Sequence, residues 1–253
     1  MSRVSERIYR LYVPDLGQAG QSDEVSLPHG EVHHALHVLR LRQGEAVELF
    51  DGLGRRCCGS VASIARSSMA VRITGKPEIF PRRTPVIALG FAVPKGNRLD
   101  YLLEKATELA VASIEPVIFQ RSVAGAEEMT AEKQARWLGH CIAAAKQSAL
   151  DYLPSIAQPT LLEQWVTAAP SVPEKAVRLM GDASMRAVSI SQALPPETPE
   201  KIFVLIGPEG GITDEERNVA VRAGFVGVRI GWTTLRVETA AVAMLSAVNA
   251  IYT

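Results

Sequence analysis

The chain has 253 residues, of which 47% are hydrophobic and 21% charged, so it is long enough to bury a core without metal or disulfide support. Its 27 basic residues equal its 27 acidic residues, which excludes the overall positive charge of a non-specific nucleic-acid coat. The cysteines Cys57, Cys58 and Cys141 match no zinc spacing and cannot all pair, which indicates a reducing compartment. The start of the chain has no apolar stretch of the signal-peptide kind, and the longest uncharged run, residues 239–253, is too short to span a bilayer. We therefore expect a cytoplasmic protein with no metal and no membrane segment.

Turn residues and short alternating runs dominate the first part of the chain. Strands are predicted at residues 46–50, 57–64 and 69–74, with Asp51-Gly52 supplying a hairpin turn. One short helix is predicted over residues 30–39. Prolines then mark a linker, so the sequence predicts a small β domain at residues 1–76 and a second domain at residues 77–253.

Strand and helix patterns alternate in the second part. Strands are predicted at residues 85–93, 113–119, 176–180, 201–206 and 226–230. Helices are predicted to begin near residues 98, 130 and 238. Such alternation is typical of an α/β domain with a parallel sheet.

The most informative motif follows the predicted strand at residues 201–206. It reads Gly207-Pro-Glu-Gly-Gly211, and then Thr213 and Glu216 form a capping-box pattern that predicts the start of a helix. Glycines at the carboxyl end of a parallel strand allow backbone amides to approach a ligand closely, although a simple tight turn would also use them. The spacing matches neither a dinucleotide fingerprint nor a P-loop.

A second loop, after the strand at residues 226–230, contains Arg236 and Glu238 and precedes an alanine-rich helix. Both loops lie at the carboxyl ends of parallel strands, so we expect them to share one edge of the sheet. Two simpler roles remain open: Glu238 could complement the helix dipole, and Arg236 could pair with it.

These motifs together resemble the RsmE family, the ribosomal RNA small-subunit methyltransferase E enzymes of the SPOUT superfamily. The resemblance rests on Leu205-Ile-Gly-Pro-Glu-Gly-Gly and Leu235-Arg-Val-Glu-Thr-Ala, and it runs along nearly the whole chain. His34-Ala-Leu-His-Val-Leu-Arg is similar to the family's N-terminal domain, and Glu104-Lys-Ala-Thr-Glu-Leu is similar to the start of its catalytic domain.

The resemblance implies a small PUA-like β-barrel domain followed by a SPOUT-type parallel sheet with a deep trefoil knot. It also implies a homodimer that uses S-adenosyl-L-methionine to methylate N3 of a uridine in small-subunit (16S) ribosomal RNA, either free or in the assembled subunit. Three knot loops would hold the cofactor largely through backbone groups. The implied cofactor residues are Met180, Gly181, Ile206, Gly207, Pro208, Glu209, Gly210, Gly211, Ile230, Gly231, Leu235, Arg236 and Val237.

Within this interpretation Arg236 and Glu238 are the predicted catalytic residues. Arg236 would favour the N3 anion as an opposite charge does, and Glu238 would act either as the base or as the group that orients Arg236. The predicted RNA-binding residues are His34, Arg40, Arg42, Arg55, Arg56, Lys95, Arg98 and Arg121. The chain departs from the family pattern at Lys146 and Leu150, where the family shows an acid and an arginine.

Two other functions remain open at this point. A non-catalytic RNA-binding module would need only the β domain and its arginines. A small-molecule α/β enzyme would use the same sheet edge and would not need the first 75 or so residues.

Overall fold

The structure is a computed structural model that describes residues 8–122, 128–168, 176–184 and 186–252. It divides into two compact units. The first contains Met1–Arg82 and Ala145–Leu153, and the second contains Arg83–Ala144 and Pro154–Thr253. The return of Ala145–Leu153 to the first unit is not visible in the sequence pattern, and the expected division after residue 76 remains a prediction.

The first unit is built on a mixed six-stranded sheet. Its strands are β1 (Tyr9–Tyr12), β2 (Glu24–Ser26), β3 (Ala46–Phe50), β4 (Arg55–Ile64), β5 (Met69–Ile73) and β6 (Glu78–Ile79). The order is β1-β3-β4-β5-β2 with β6 beside β4, and only the β1–β3 pairing is parallel. A core of aliphatic side chains, including Leu11, Leu49 and Val71, fills one side of this sheet.

The predicted helix at residues 30–39 has two parts in the structure. Helix α1 (His29–His33) continues into π-helical turns over His34–Leu39, and Arg40 ends them in the left-handed conformation. Val32 is buried, and Leu36 and Leu39 pack against the core, as their helical spacing predicts. The π-helical widening was not predicted.

Charged residues connect Ala145–Leu153 to the rest of the first unit. Arg10 donates to the Asp151 carboxylate at 2.5 Å and to the Leu150 carbonyl at 3.0 Å. Lys146 pairs with Glu31 at 2.7 Å, with both side chains largely buried. Lys146 and Leu150, the two departures from the family pattern, are therefore both part of this network.

The second unit is an eight-stranded sheet in which every pairing is parallel. Its strands are β7 (Val86–Phe91), β8 (Ser113–Ile118), β9 (Ser155–Ile156), β10 (Thr160–Leu161), β11 (Ala176–Gly181), β12 (Val188–Ser189), β13 (Lys201–Ile206) and β14 (Val226–Arg229). The order is β10-β8-β7-β13-β11-β14-β12, with β9 beside β8. The predicted parallel α/β domain is confirmed, and the predicted knot remains a prediction.

The helices of the second unit are α2 (Arg98–Glu108), α3 (Ala131–Ser148), α4 (Leu162–Thr167), α5 (Ile190–Ala193), α6 (Asp214–Arg222) and α7 (Val237–Tyr252). Helix α3 crosses the division between the units and ends in the first. Central strand β13 is buried at five consecutive positions, as expected for a strand covered on both faces. Helix α7 packs against α2 and against β7 and β13.

Trp165 on α4 lies within a hydrophobic cluster of the second unit. Its ring packs against Phe203 and Phe225, and its indole nitrogen donates to Glu115 at 2.5 Å. A Cβ at Gly90 would approach the Trp165 ring to 2.5 Å, so only glycine allows α4 this close to the central strands. No described helix is long and apolar enough to cross a membrane.

Candidate active site at the carboxyl edge of the parallel sheet

Three neighbouring parallel strands, β11, β13 and β14, end beside one another and open into a cavity of about 230 Å³. The cavity lies entirely within the second unit. The segments that follow each strand form its walls, and the first turns of α6 and α7 contribute to it. This is the edge at which open α/β sheets bind ligands.

The Gly207–Gly211 segment forms a tight turn between β13 and α6. Gly211 has a φ of +77° and its amide donates to the Pro208 carbonyl at 2.8 Å. A Cβ at Gly207 would approach Ile212 to 2.3 Å, so the loop admits no side chain there. Glycine is therefore favoured at 211 by the backbone conformation and at 207 by the nearby Ile212 side chain, and both residues leave backbone groups accessible to the cavity.

Two arginines from other elements hold this loop. Arg98 pairs with Glu209 at 3.0 Å, and Arg121 donates to the Gly210 carbonyl at 2.8 Å. Sequence reasoning assigned both arginines to RNA. In the structure each makes an exposed contact with the loop that lines the cavity, and binding to RNA by either arginine stays a prediction.

Helix α6 begins directly after the loop, as the capping-box pattern predicts. Thr213 Oγ1 accepts from the Glu216 amide, and the Glu216 carboxylate accepts from the Thr213 amide at 2.9 Å. The second Glu216 oxygen accepts from the Gln120 amide at 2.6 Å. One carboxylate thus caps the helix and anchors the segment that contains Arg121.

A buried ion pair between Asp182 and Arg217 forms part of the cavity wall. The Asp182 side chain is 5% exposed, and its other oxygen accepts from the Ser184 amide at 2.8 Å. A Cβ at Gly227 would approach Asp182 Oδ2 to 2.8 Å, so glycine on β14 provides the space for this carboxylate. Sequence analysis missed the pair because its members lie 35 positions apart on different elements.

Arg236 and Glu238, the predicted catalytic pair, occupy contrasting environments. Arg236 is exposed, and its side chain makes no ion pair or hydrogen bond with a described residue. Glu238 lies in the first turn of α7 and is 7% exposed, and its Oε2 atom has no hydrogen-bond partner among the described residues. The two side chains do not pair with each other, so that simpler role for Arg236 has no support here.

Most residues that the resemblance assigned to the cofactor line the cavity: Gly181, Ile206, Gly207, Pro208, Glu209, Gly211, Ile230, Gly231, Leu235 and Val237. Three do not: Met180 is buried within β11, and Gly210 and Arg236 lie outside the lining. Residues that sequence reasoning missed also line it: Asp182, Ala183, Ser184, Ile212, Arg217, Val228, Arg229, Thr233, Thr234 and Ala240. The loop segments among these follow directly after the predicted strands, so extending the predicted strand ends would have found them.

The arginines predicted to bind RNA in the first unit are not equivalent. Arg55 pairs with Asp51 at 3.2 Å, and Arg56 lies over the Phe80 ring at 3.8 Å and near Asp151. Arg40 and Arg42 are exposed, and neither side chain has a described partner. Arg40 and Arg42 are therefore the two whose guanidinium groups have no described ion pair or hydrogen bond, and RNA binding by all four arginines stays a prediction.

The two remaining predicted RNA contacts are His34 and Lys95. His34 is half-buried, and burial together with the nearby Lys146 charge lowers its pKa below the usual value, so the neutral imidazole is favoured. Lys95, in the second unit, is exposed. The described residues contain no group of three or more His, Cys, Asp or Glu side chains placed to hold a metal ion.

Comparison with known proteins places this site in a family. Residues 82–249 match the family described as RNA methyltransferase domain, and residues 27–74 match the RNA methyltransferase PUA domain. Two relatives are named ribosomal RNA small subunit methyltransferase E. The protein of Mycobacterium bovis is 30% identical over 98% of this chain and 92% of its own, and that of Synechocystis is 27% identical over 90% and 73%.

A solved structure shows the same architecture. The crystal structure of a ribosomal RNA small subunit methyltransferase E from Neisseria gonorrhoeae, bound to S-adenosyl methionine, superposes with a TM-score of 0.83 at 29% identity and covers 96% of this chain and 98% of that one. The RNA methyltransferase match spans well over half of the present chain, and the cavity lies within it. The chain therefore belongs to the RNA methyltransferases of the ribosomal RNA small subunit methyltransferase E family.

Proposed function

We propose that this protein transfers a methyl group from S-adenosyl-L-methionine to N3 of a uridine in small-subunit ribosomal RNA. The observation that carries the proposal is the cavity at the ends of β11, β13 and β14, built from backbone-rich loops within the RNA methyltransferase domain. A non-catalytic RNA-binding module would not need such a cavity. The Neisseria relative, whose structure contains S-adenosyl methionine, supports the choice of cofactor.

The residues present fit this cofactor. Ile206, Ile212, Ile230 and Leu235 supply apolar walls for an adenine ring, and the glycine loop exposes backbone donors and acceptors. The Asp182–Arg217 pair offers a negative and a positive group to the hydroxyls and the amino-acid end of the molecule. Pockets of this kind, largely apolar with few placed polar groups, are typical of cofactor sites.

The cofactor, when bound, supplies an activated methyl group, so the chain's own residues must position the uracil and help N3 lose its proton. Arg236, which is exposed and has no described partner, places positive charge beside the uracil carbonyls and favours the N3 anion. Glu238 follows the cavity-lining Val237 in the first turn of α7 and lies outside the lining itself, and its Oε2 has no partner among the described residues. It either accepts the N3 proton or orients Arg236. Positioning of this kind contributes about 7–11 kcal/mol to lowering a barrier.

Cofactor binding is tested by thermal unfolding with S-adenosylhomocysteine, NAD and ATP. S-adenosylhomocysteine should stabilise the native protein by about 2.7 kcal/mol at a hundredfold excess over Kd, and the other two should not. Gly231→Val should abolish this stabilisation, because the position lines the cavity and no protein atom lies near its Cβ. Gly139→Val, equally uncrowded but on the exposed face of α3, is the matched control. An unchanged melting temperature of the unmutated protein would contradict the cofactor assignment.

The substrate is tested with unmodified small-subunit ribosomal RNA, offered both as a transcript and as assembled subunits. Mass spectrometry of the digested product should show 3-methyluridine at a single position. Arg236→Ala should lower turnover by orders of magnitude and leave RNA affinity nearly unchanged, because its charge acts on the N3 anion. Methylation at another atom would overturn the N3 assignment.

RNA docking by the first unit is carried by Arg40 and Arg42 in this proposal, because Arg55 and Arg56 already contact Asp51, Phe80 and Asp151. Phosphate contacts position RNA without reading its sequence. Replacing Arg40 and Arg42 with alanine should reduce the slope of log K against log salt by about 0.7–0.9 for each phosphate that is no longer bound. An unchanged salt slope would exclude both arginines from RNA docking.

We further infer a homodimer through α7 and a cytoplasmic location. Ala240, Ala243, Ala247 and Ala250 recur on one incompletely buried side of α7, which would let a second helix approach closely, and the free cysteines suit a reducing compartment. Light scattering should give about twice the 27.3 kDa chain mass. A monomer mass at micromolar concentration would contradict the dimer.

A further inference from the structure

Trp232 is the most exposed large hydrophobic side chain among the described residues. It lies in the loop between β14 and α7 and is 98% exposed, whereas Trp137 is fully buried and Trp165 is 7% exposed. An isolated surface aliphatic residue is unremarkable, but a whole indole left in water is uncommon because tryptophan is highly buried on average. The fold gains nothing from this ring, so a contact outside the chain explains it better.

The loop that contains Trp232 is also part of the cavity. Gly231 before it and Thr233 and Thr234 after it all line the cavity, while Trp232 itself does not. The ring is therefore attached to the cavity wall and exposed outside it. A molecule that delivers one group to the cavity would have its adjoining parts near this ring.

The charges of the same loop favour a polyanion. Arg229 and Arg236 flank Trp232 in the chain, and neither side chain has a described partner. No acidic residue lies between positions 226 and 237. An exposed aromatic ring in a loop that also carries two arginines and no acidic residue is a combination that suits unpaired bases and their phosphates.

We propose that Trp232 is a stacking platform for an unpaired base of the RNA substrate, next to the base that enters the cavity. This inference rests on the proposed function, since it requires an RNA substrate at this cavity. Stacking on an aromatic ring is tolerant of base identity, so Trp232 would fix the position of the RNA strand and leave the choice of base to the cavity. Trp232 acts on binding and not on the transfer step.

Methylation kinetics with small-subunit RNA, as a transcript and as assembled subunits, test the proposal. Trp232→Ala should raise KM about 10-fold, the effect expected from removing one stacked base, with kcat little changed. Trp232→Phe should restore most of the affinity because it keeps an aromatic face. Val221→Ala, an exposed apolar position on α6 outside the cavity lining, is the control and should behave like the unmutated protein. A KM for Trp232→Ala within about twofold of the unmutated value would overturn the proposal.

Iodide quenching of tryptophan fluorescence gives a readout that does not depend on activity. Since Trp137 and Trp165 are buried, the quenchable signal comes from Trp232 and should disappear in Trp232→Phe. The RNA transcript should protect this signal, and S-adenosylhomocysteine alone should not. Protection that grows with protein concentration in the absence of RNA would assign the ring to a contact between copies and overturn the RNA assignment. Failure of the unmutated protein to bind S-adenosylhomocysteine or to methylate RNA would instead overturn the proposed function, and this inference with it.

Discussion

Glu31 in the first unit and Glu238 in the second are equally buried, each 7% exposed, and yet their surroundings differ. Glu31 pairs with Lys146 at 2.7 Å, and its other oxygen accepts from the Tyr12 amide at 3.1 Å. Glu238 has an oxygen with no described partner. A buried carboxylate is costly unless it is paired and hydrogen-bonded, so Glu31 meets the structural requirement and Glu238 does not.

This difference separates a carboxylate whose two oxygens both have partners from one that the proposed function assigns to catalysis. A buried polar group without a hydrogen-bond partner in a native protein calls for an explanation, and a role in catalysis is one. Burial alone would have ranked the two residues equally. Their partners, which only the folded chain reveals, separate them.

The largest expected effect is on catalysis at Glu238. Glu238→Gln keeps the shape of the side chain and removes its ability to take a proton, so kcat should fall by about 10²–10⁴-fold while the melting temperature stays unchanged or rises. Rapid-quench methylation assays and calorimetry measure the two quantities. If Glu238 only orients Arg236, the change should have no further effect in an Arg236→Ala background.

Breaking the Glu31–Lys146 pair should instead lower the stability of the fold and leave cofactor binding unchanged. Lys146→Met leaves the Glu31 carboxylate buried without its cation, and unfolding in urea should show a destabilisation of about 3–5 kcal/mol. The stabilisation by S-adenosylhomocysteine should persist, since the cavity lies in the other unit. The double variant Glu31→Leu with Lys146→Met should recover most of the stability. A double variant no better than the single one would show that packing, and not the charge, is what Lys146 supplies.

The Asp182–Arg217 pair combines both roles, because it is a satisfied ion pair within the cavity wall. Arg217→Met removes the positive charge offered to the cofactor and leaves Asp182 with the Ser184 amide as its remaining partner. We expect S-adenosylhomocysteine affinity, measured by calorimetry, to fall about 10-fold, equivalent to one charge-assisted hydrogen bond. Arg222→Met, in the last turn of the same helix and outside the cavity lining, is a matched control. Equal affinities for the two variants would remove Arg217 from the cofactor site.

The smallest expected effect concerns the pKa of His34, which depends on the charges of Glu31 and Lys146. Burial and Lys146 lower its pKa from the ordinary value of 6.5, whereas Glu31 raises it by a smaller amount. The folded protein therefore binds this proton less well than the unfolded chain. The free energy of unfolding should fall as the pH drops from 6.5 through the lower pKa of the folded state. NMR titration should give a midpoint below 6.5 that rises in Lys146→Met. A midpoint that does not move would show that Lys146 does not act on His34.

Local patterns predicted a large part of the fold. Residues 46–50 and 201–206 form the predicted strands with the predicted ends, and Thr213 caps α6 as the motif indicates. These features depend on alternation, apolar runs and capping, which act over a few residues. The short strands β2, β6, β9, β10 and β12 were not predicted, because two or three residues carry too weak a pattern.

The part of the site that lies at the ends of the parallel strands could be predicted from the sequence. Ten of the cavity-lining residues were among those that the family resemblance implied, and the glycine motifs indicated only the edge of the sheet where they lie. Asp182 and Arg217 escaped notice since neither belongs to a motif and their pairing needs the turn after β11 to meet helix α6. Arg98 and Arg121 also contact the Gly207–Gly211 loop, which the sequence did not reveal because their partners lie 111 and 89 positions away. Their predicted role in RNA binding stays a prediction.

By itself, then, the sequence determined most of the longer elements, the parallel sheet and the edge that carries the site, because periodicity and turn chemistry are local properties. Only the tertiary structure decided how each charge is used. Glu31 is satisfied by Lys146, 115 positions away, and Glu238 is left with an oxygen that no described residue contacts by a hydrogen bond. A charge is stable or reactive according to the groups around it, and those groups come from distant parts of the chain.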